Sequence, residues 1–316
     1  MSINPPVIVD LHMASILELE HVTVHKDYFG RIEGISVLEG VSLTTSVGDL
    51  VPAHTPEDEG RKRLAPMKIY PNGAIRSMSL EESTLIRTPI GMYSAEMVTF
   101  YESGALKRFF PLNGRVSAYW TEKNEMGHAV LTPFSTPLGE VTLKPLYVQF
   151  YENGKLHSIA MCPDTSINLP TPFGEIAVRK GFSFDPQGHL YSFEPHEPVD
   201  IQTPIGSVEA YESEPKGMSA EINSLVFTPE GGVECISTTG TQVSVQSESG
   251  EIVYAPRKVE SLCSDQAHST ESLSIDFKRG EVIFRHGLKV LGRHDLSCPM
   301  KTAAYAEQIL ERIIFC

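Results

Sequence analysis

The sequence predicts an all-β protein, an extended antiparallel meander of repeated β-hairpins with a C-terminal capping helix. Three observations lead to this prediction. One kind of glycine turn recurs along the chain, a second kind of turn alternates with it, and apolar residues stand at fixed distances from both. Because tight turns between apolar segments join antiparallel strands, regularly recurring turns predict regularly recurring hairpins.

Three regions follow from this pattern. Residues 1–55 alternate apolar and polar side chains and are predicted to form a β-rich N-terminal cap. Residues 56–255 are predicted to hold the hairpin repeats, and their first residues form a charged, proline-bounded loop. Residues 256–316 are predicted to contain a further hairpin and an amphipathic helix.

The first turn type centres on a glycine that supplies the positive φ of a tight hairpin turn. Its five copies lie at Gly73, Gly104, Gly154, Gly188 and Gly231. Apolar residues stand four positions before each glycine, two after it and five after it. Positions two and five would face opposite sides of a regular strand. Either a β-bulge resets the register, or both faces of the sheet are partly covered.

The second turn type reads Thr-Pro-x-Gly, in which proline presets φ and glycine allows a left-handed exit. Its copies begin at Thr88, Thr136, Thr171 and Thr203, with degenerate copies at Thr45 and Ser247. We expect the threonine side chain to hydrogen-bond within its own turn rather than to act as a nucleophile. The two turn types alternate, so one kind is expected at each rim of the sheet.

Two polar side chains also recur in the first element. Tyr70, Tyr101 and Tyr151 stand beside the turn, where aromatic rows typically stiffen a sheet. The alternative is that these tyrosines line a binding surface along the repeat face, which makes them the candidate binding residues. Ser77, Ser158 and Ser192 share one position and are expected on a solvent-facing side.

The stretches FYESGALKRF (100–109) and FYENGKLHSI (150–159) resemble the units of bacterial MORN-repeat-variant proteins. The core of those units reads aromatic-aromatic-x-Asn-Gly-Lys-Leu, and the likeness extends over about residues 67–237. The resemblance implies a meander of antiparallel hairpins. It also implies a scaffold or interaction module, and some members of that family are labelled antitoxins.

The C-terminal region predicts two elements. A hairpin is expected to turn at Lys278, Arg279 and Gly280. A helix is expected over residues 303–315, where Tyr305, Ile309 and Ile313 form an apolar stripe. This helix would cap the open edge of the sheet, and homo-oligomerisation through it is the alternative.

Composition narrows the classes of partner. The 316 residues carry a formal net charge of −14, which disfavours nucleic-acid binding because phosphates require a basic surface. No apolar stretch is long enough to span a membrane, so no membrane insertion is expected. The five cysteines show no CxxC spacing and predict reduced thiols in a cytoplasmic protein.

The sequence contains no recognised catalytic motif, so no catalytic residue, metal ligand or cofactor is assigned. We therefore predict a non-enzymatic protein–protein interaction or scaffold module that binds another protein or a polymer along the repeat face. The alternative is an enzyme or accessory factor with a metal or acid/base site near the termini, at His12 or at His286 and His294.

Overall fold

The computed structural model describes residues 7–10, 22–26, 28–30, 32–37, 41–54, 67–114, 121–212, 220–247, 250–260 and 268–305. Within these ranges the chain is almost wholly β-structure with a single short helix, which confirms the all-β class. The chain divides into two compact units. The first comprises Met1–Ile167 with Phe184–His189, and the second comprises Asn168–Ser183 with Leu190–Cys316. The predicted boundaries at residues 55 and 255 stay predictions.

The first unit contains thirteen strands and the helix. They are β1 (Val7–Asp10), β2 (Val22–Lys26), β3 (Ile32–Val37), β4 (Val41–Thr45), β5 (Gly48–Leu50), β6 (Met67–Ile69), β7 (Ile75–Thr88), β8 (Gly91–Phe100), β9 (Leu106–Phe110), α1 (Glu122–Gly127), β10 (Thr132–Thr136), β11 (Gly139–Leu143), β12 (Pro145–Phe150) and β13 (Leu156–Met161). The main sheet of this unit runs β2-β3-β6-β7-β8-β9-β12-β13. Strands β1, β4 and β5 form a small sheet, and β10 pairs with β11.

The second unit contains the remaining strands of the described residues, except that residues 166–167 and Phe184 belong to the first unit. They are β14 (Ser166–Thr171), β15 (Gly174–Phe184), β16 (Leu190–Pro195), β17 (Val199–Thr203), β18 (Gly206–Ala210), β19 (Leu225–Phe227), β20 (Val233–Thr238), β21 (Thr241–Ser247), β22 (Gly250–Tyr254), β23 (Arg257–Glu260), β24 (His268–Glu271), β25 (Leu273–Lys278), β26 (Glu281–His286), β27 (Lys289–Asp295) and β28 (Met300–Ala304). The main sheet of this unit runs β15-β16-β19-β20-β25-β26-β27, with β14 beside β15. The pairs β17-β18 and β23-β24 and the triplet β22-β21-β28 are separate.

The five predicted glycines of the first type all lie in turns with the same hydrogen bonds. Each glycine has a positive φ, between +81° and +98°. Its N–H donates to the carbonyl oxygen three residues earlier, at 2.9 to 3.0 Å. This geometry is that of a three-residue hairpin loop in which glycine takes the left-handed position.

A β-bulge follows the turn and explains how the apolar positions two and five after the glycine can face the same side of the sheet. In the Gly154 turn, Phe150 pairs with Leu156, whereas the preceding Gln149 pairs with Ser158. His157 is therefore the extra residue. The same shift follows Gly73, Gly104 and Gly231. Because one residue is skipped, the apolar positions two and five after the glycine face the same side, and all of them are buried except Val233, which is half-buried.

One turn of this kind was not predicted. Gly30 has a φ of +78°, and a register shift follows it where Lys26 pairs with Ile32. Its position four residues before the glycine holds Lys26 instead of an apolar residue, so the apolar pattern did not reveal it.

The second turn type closes two-residue hairpins, and its hydroxyl behaves as expected. In all six copies the Thr or Ser hydroxyl donates to the carbonyl oxygen of the turn glycine, at 2.7 to 2.8 Å. In the five threonine copies the same oxygen accepts the N–H of the residue before the glycine. The expectation that threonine stabilises its own turn is confirmed.

The expectation of one turn type at each rim is wrong. A Cβ placed on Gly154, a first-type glycine, would lie 3.4 Å from Cγ of Pro89 in a second-type turn. In the second unit, Gly231 and Pro172 are close in the same way. The second-type hairpins therefore fold over the main sheet and bring their tips back beside the first-type turns.

This folding creates the core between two layers. In the first unit, Tyr93 of a second-type hairpin stacks on Phe109 of the main sheet and on Phe134 of β10, with ring centroids 5.5 and 4.8 Å apart. In the second unit, Tyr254 of β22 stacks on Phe284 of β26 at 4.2 Å. Burial of such aromatic pairs is a major stabilising contribution, and it covers one face of each main sheet.

Of the two elements predicted in the C-terminal region, the structure contains the hairpin but not the start of the helix. The hairpin at Lys278 is confirmed, because Lys278 pairs with Glu281 and the two residues between them both have positive φ. The predicted helical start at Ala303 is wrong. Residues 300–304 form β28, whose backbone pairs with β21, and this sheet pairing overrides the helix propensity of the two alanines. Tyr305 is not helical either, and its N–H donates to the Gly240 carbonyl oxygen at 2.7 Å. Residues 306–315 of the predicted helix lie outside the described residues. Within the described ranges, no helix is long and apolar enough to cross a membrane.

Candidate functional site

The three predicted tyrosines link successive turns of the first unit. Each hydroxyl donates to a backbone carbonyl oxygen immediately before the next first-type turn. Tyr70, Tyr101 and Tyr151 donate to Phe100, Phe150 and Phe184, respectively, at 2.9, 2.9 and 2.8 Å. The spacing of the tyrosines thus matches a chain of hydrogen bonds along one rim of the sheet.

The bulged residue of each turn covers the tyrosine ring. The covering groups are the Arg76 guanidinium 6.0 Å from the Tyr70 centroid, the Lys107 ammonium 5.4 Å from Tyr101, and the His157 ring 4.3 Å from Tyr151. Each tyrosine is half-buried. Both the hydroxyl and one region of the ring therefore have partners within the protein, and a binding role for the three tyrosines stays a prediction.

The second unit contains a cleft with a volume of about 730 Å³. We name it the carboxylate cleft, because four acidic residues are among those that line it. Its acids are Glu194, Glu212, Glu221 and Glu271, its cations are Lys180, Arg285 and Lys289, and Asn223, Cys235 and His286 also line it.

Strand alternation explains why these side chains meet. On the core face of the sheet, five buried apolar residues are paired neighbours across successive strands: Phe193, Leu225, Ile236, Ile275 and Phe284. Their sequence neighbours point to the other face. These neighbours form a polar row of Glu194, Ser224, Ser237, Ser274 and Arg285, which lines the cleft. The register that buries the apolar row therefore also builds the floor of the cleft.

Glu194 is the most deeply buried acid of this floor, with 1% of its surface exposed. Its carboxylate accepts hydrogen bonds from the N–H and hydroxyl of Ser224 at 2.8 Å and from the N–H of Glu212 at 3.1 Å. The Arg179 guanidinium lies 3.8 Å away. Burial raises the pKa of Glu194, although the hydrogen bonds from Ser224 and Glu212 oppose the shift.

Lys180 has an unusual backbone conformation. Its φ is +64°, in the left-handed region that residues with a side chain rarely adopt. Its ammonium donates to the carbonyl oxygen of Ile222 at 2.6 Å. Burial lowers the pKa of Lys180, and the charges of Glu194 and Glu212 oppose this shift. Strained backbone of this kind is enriched at functional sites.

Arg285 and Cys235 occupy the next part of the floor. Arg285 donates two hydrogen bonds to the Asp276 carboxylate, both at 2.6 Å. Burial and the negative charge of Asp276 raise the pKa of Cys235 to about 12. The Cys235 thiol is therefore protonated at neutral pH, and it lacks the thiolate that a cysteine nucleophile requires.

Two of the lining residues each have one buried acceptor atom without a hydrogen-bond partner: Asn223 Oδ1 and His286 Nδ1. The Asn223 amide uses both hydrogens, donating to Ser192 Oγ at 2.8 Å and to the Ala220 carbonyl at 2.7 Å. His286 Nε2 lies 2.9 Å from the Ala255 carbonyl, which only accepts, so Nε2 carries the proton. In neutral His286 the other nitrogen is then an acceptor.

The histidines predicted near the termini have separate surroundings. His12 lies outside the described residues. His286 is part of the cleft, whereas His294 Nε2 is 2.7 Å from the Tyr254 hydroxyl. Across the described part of the chain, no group of three or more His, Cys, Asp or Glu residues is arranged to hold a metal ion.

The expected solvent-facing position of the recurring serines is wrong. Ser158 and Ser192 are fully buried, and Ser77 is half-buried. The Ser192 hydroxyl can be buried because it hydrogen-bonds to Ser183 at 2.6 Å and accepts from Asn223. Sequence reasoning also missed Glu194, for which the available signal was an acid inside the strand segment LYSFEP.

Comparison with known proteins supplies no family for this chain. No family model, no curated protein and no solved structure matches it. The resemblance to MORN-repeat-variant units therefore stays a prediction, and the functional argument rests on the residues themselves.

The tyrosine hydrogen bonds predict a measurable contribution to stability. Tyr101→Phe removes the hydroxyl that donates to Phe150 and leaves a half-buried ring in place. We expect the free energy of unfolding to fall by about 0.5–1.5 kcal/mol in denaturant titrations. Tyr28→Phe is the matched control, because Tyr28 is almost fully exposed. Equal stability of Tyr101→Phe and the natural protein would contradict a structural role for the hydroxyl.

The raised pKa of Glu194 predicts a pH-dependent difference from Glu194→Gln. The neutral acid is favoured in the folded state, so its contribution is fully present below its ordinary pKa of 4.5. That contribution is lost as the pH rises through the folded-state pKa. We expect the unfolding free energy of the natural protein, relative to Glu194→Gln, to fall between pH 4.5 and neutral pH. Urea titrations across this range measure it, with exposed Glu230→Gln as control. A difference independent of pH would contradict the assignment.

Proposed function

We propose that the chain is a non-enzymatic protein-interaction module that holds a partner protein at the carboxylate cleft. One observation carries the proposal. Two strongly exposed apolar side chains line the carboxylate cleft beside its buried polar floor. They are Ile222, which is 62% exposed, and Leu288, which is 99% exposed. Exposed apolar side chains beside well-placed polar groups are typical of protein-binding surfaces. Leu288 lies in the turn between β26 and β27, where it has free access to a partner.

The sheet serves as the scaffold in this proposal. We infer that residues 67–237 consist of successive copies of one hairpin unit, as the likeness to MORN-repeat-variant proteins implies. The shared turn hydrogen bonds and the tyrosine links support this inference. We also infer that the C-terminal tail forms the capping helix, supported by its apolar stripe at Ile309 and Ile313. Self-association through that helix is the alternative.

The partner is proposed to be a protein rather than a nucleic acid, because the chain carries a net charge of −14. The proposed location is the cytoplasm. The scattered cysteines support it, and Cys162, Cys235 and Cys298 are free thiols.

An enzyme or accessory factor with acid/base chemistry is the second candidate. The observation in its favour is that His286 and Glu194 line one cleft. His12 would belong to this candidate as well. Stoichiometric zinc or iron in the purified protein, or turnover that is lost in His286→Gln, would favour it over the interaction module.

Site-specific photo-crosslinking tests the proposed function. A photoreactive phenylalanine analogue replaces Leu288 in the full chain, and the control places it at Tyr28, an exposed residue of the first unit. We expect discrete protein adducts from position 288, and not from position 28, in cells that naturally make the protein. The proposal fails if position 288 gives no adduct, or if both positions give the same adducts.

A further inference from the structure

We infer that the partner inserts a hydrogen-bond-donating cation into the carboxylate cleft, namely the guanidinium of an arginine or the ammonium of a lysine. This inference rests on the proposed function and specifies the chemistry of the ligand. It follows from two unpaired acceptors and from the acidic residues that line the cleft.

Each inner donor group of the cleft has an acceptor within the protein. The Lys180 ammonium donates to the Ile222 carbonyl, and the Arg285 guanidinium is held in two hydrogen bonds by Asp276. Both hydrogens of the Asn223 amide have acceptors. Lys289 differs from the other two lining cations because it is exposed, at the rim of the cleft. An anionic ligand would therefore have to share the inner cations with the Ile222 carbonyl and the Asp276 carboxylate.

Two inner acceptors, by contrast, remain unpaired. They are Asn223 Oδ1 and His286 Nδ1, on side chains of residues that are 9% and 8% exposed. A buried acceptor without a donor is unfavourable, and native structures rarely keep one without a reason. A ligand that donates hydrogen bonds relieves this cost, whereas a ligand that only accepts them does not.

The charge of the lining selects a cationic donor over a neutral one. Four acids line the cleft: Glu194, Glu212, Glu221 and Glu271. They outnumber its three cations, Lys180, Arg285 and Lys289. Glu271 is paired with Arg257, and Arg285 is paired with Asp276. The charges of Glu212 and Glu221 already favour the protonated form of Lys180, so their field reaches the interior of the cleft. A buried cation is stabilised by such opposite charge and by hydrogen bonds to acceptors. Arginine and lysine side chains meet both requirements.

Binding of four short peptides to the full-length chain tests the inference. The peptides contain four arginines, four lysines, four citrullines or four glutamates, and fluorescence anisotropy measures their binding. Citrulline has nearly the shape of arginine and keeps three of its five N–H donors, but it lacks the charge and carries a carbonyl acceptor. We expect the arginine and lysine peptides to bind saturably and the citrulline and glutamate peptides to bind at least about tenfold more weakly. The ratio between the arginine and lysine peptides identifies the preferred side chain.

Variants separate the cleft from general attraction to an acidic protein. Glu212→Gln removes one charge from the cleft, and Glu230→Gln removes one from an exposed turn of the same unit. We expect Glu212→Gln to weaken binding of the cationic peptide about fivefold or more, and Glu230→Gln to leave it unchanged. Circular dichroism confirms that each variant is folded. His286→Phe, which removes an unpaired acceptor, provides a second variant if Glu212→Gln does not fold.

Three results would overturn the inference: equal binding of the citrulline peptide, equal weakening by Glu212→Gln and Glu230→Gln, or no binding of either cationic peptide. The proposed function is judged separately by crosslinking. If position 288 captures a protein and the cationic peptides do not bind, the interaction module stands and the ligand class is wrong. If both experiments fail, both proposals are wrong.

Discussion

The left-handed glycine turn with its single bulged residue is the constraint on which the structure depends. A β-strand alternates its side chains between two faces, so a slip of one residue would exchange the core and solvent faces. The bulge after Gly154 makes one such shift at a fixed place, and it lets Leu156 and Ile159 both enter the core. Glycine is required because the turn needs a positive φ, which other residues adopt only with strain.

The second-type hairpins depend on this register. Once the bulges have fixed the apolar face, the short Thr-Pro-x-Gly hairpins have a surface to cover, and they place Tyr93 on Phe109. The proline of one turn type then meets the glycine of the other, as Pro89 meets Gly154. A larger residue at Gly154 would contact this proline, so the close approach and the positive φ both favour glycine.

The same register determines which side chains lie on the face of the sheet opposite the core. In the second unit Phe193 faces the core, and its neighbours Ser192 and Glu194 must therefore face the other way. There they meet side chains of adjacent strands and of the segment around Asn223. The carboxylate cleft is thus a consequence of strand alternation combined with one connecting segment that covers part of the sheet.

These relations explain what the sequence could predict. The turns and the core positions depend on residues near in sequence, so Gly104 and Thr88 could be assigned from local pattern. The fold-over of the second-type hairpins depends on contacts such as Pro89 with Gly154, which no local pattern encodes. The cleft could not be predicted for the same reason, because only the pairing of strands distant in sequence brings Glu194 and Ser224 together. Likewise, Ala303 follows the pairing offered by β21 rather than its own helix propensity.

Disulfide formation between engineered cysteines tests the register most directly. Thr99 and Arg108 are paired across β8 and β9, whereas Lys107 is the bulged residue. Directly paired residues of antiparallel strands are close enough for a disulfide. The account predicts that Thr99→Cys with Arg108→Cys forms the disulfide on mild oxidation, identified by mass spectrometry of the linked peptides, and that Thr99→Cys with Lys107→Cys does not. Preferential linkage of positions 99 and 107 would contradict the bulge and the register that the whole structure follows.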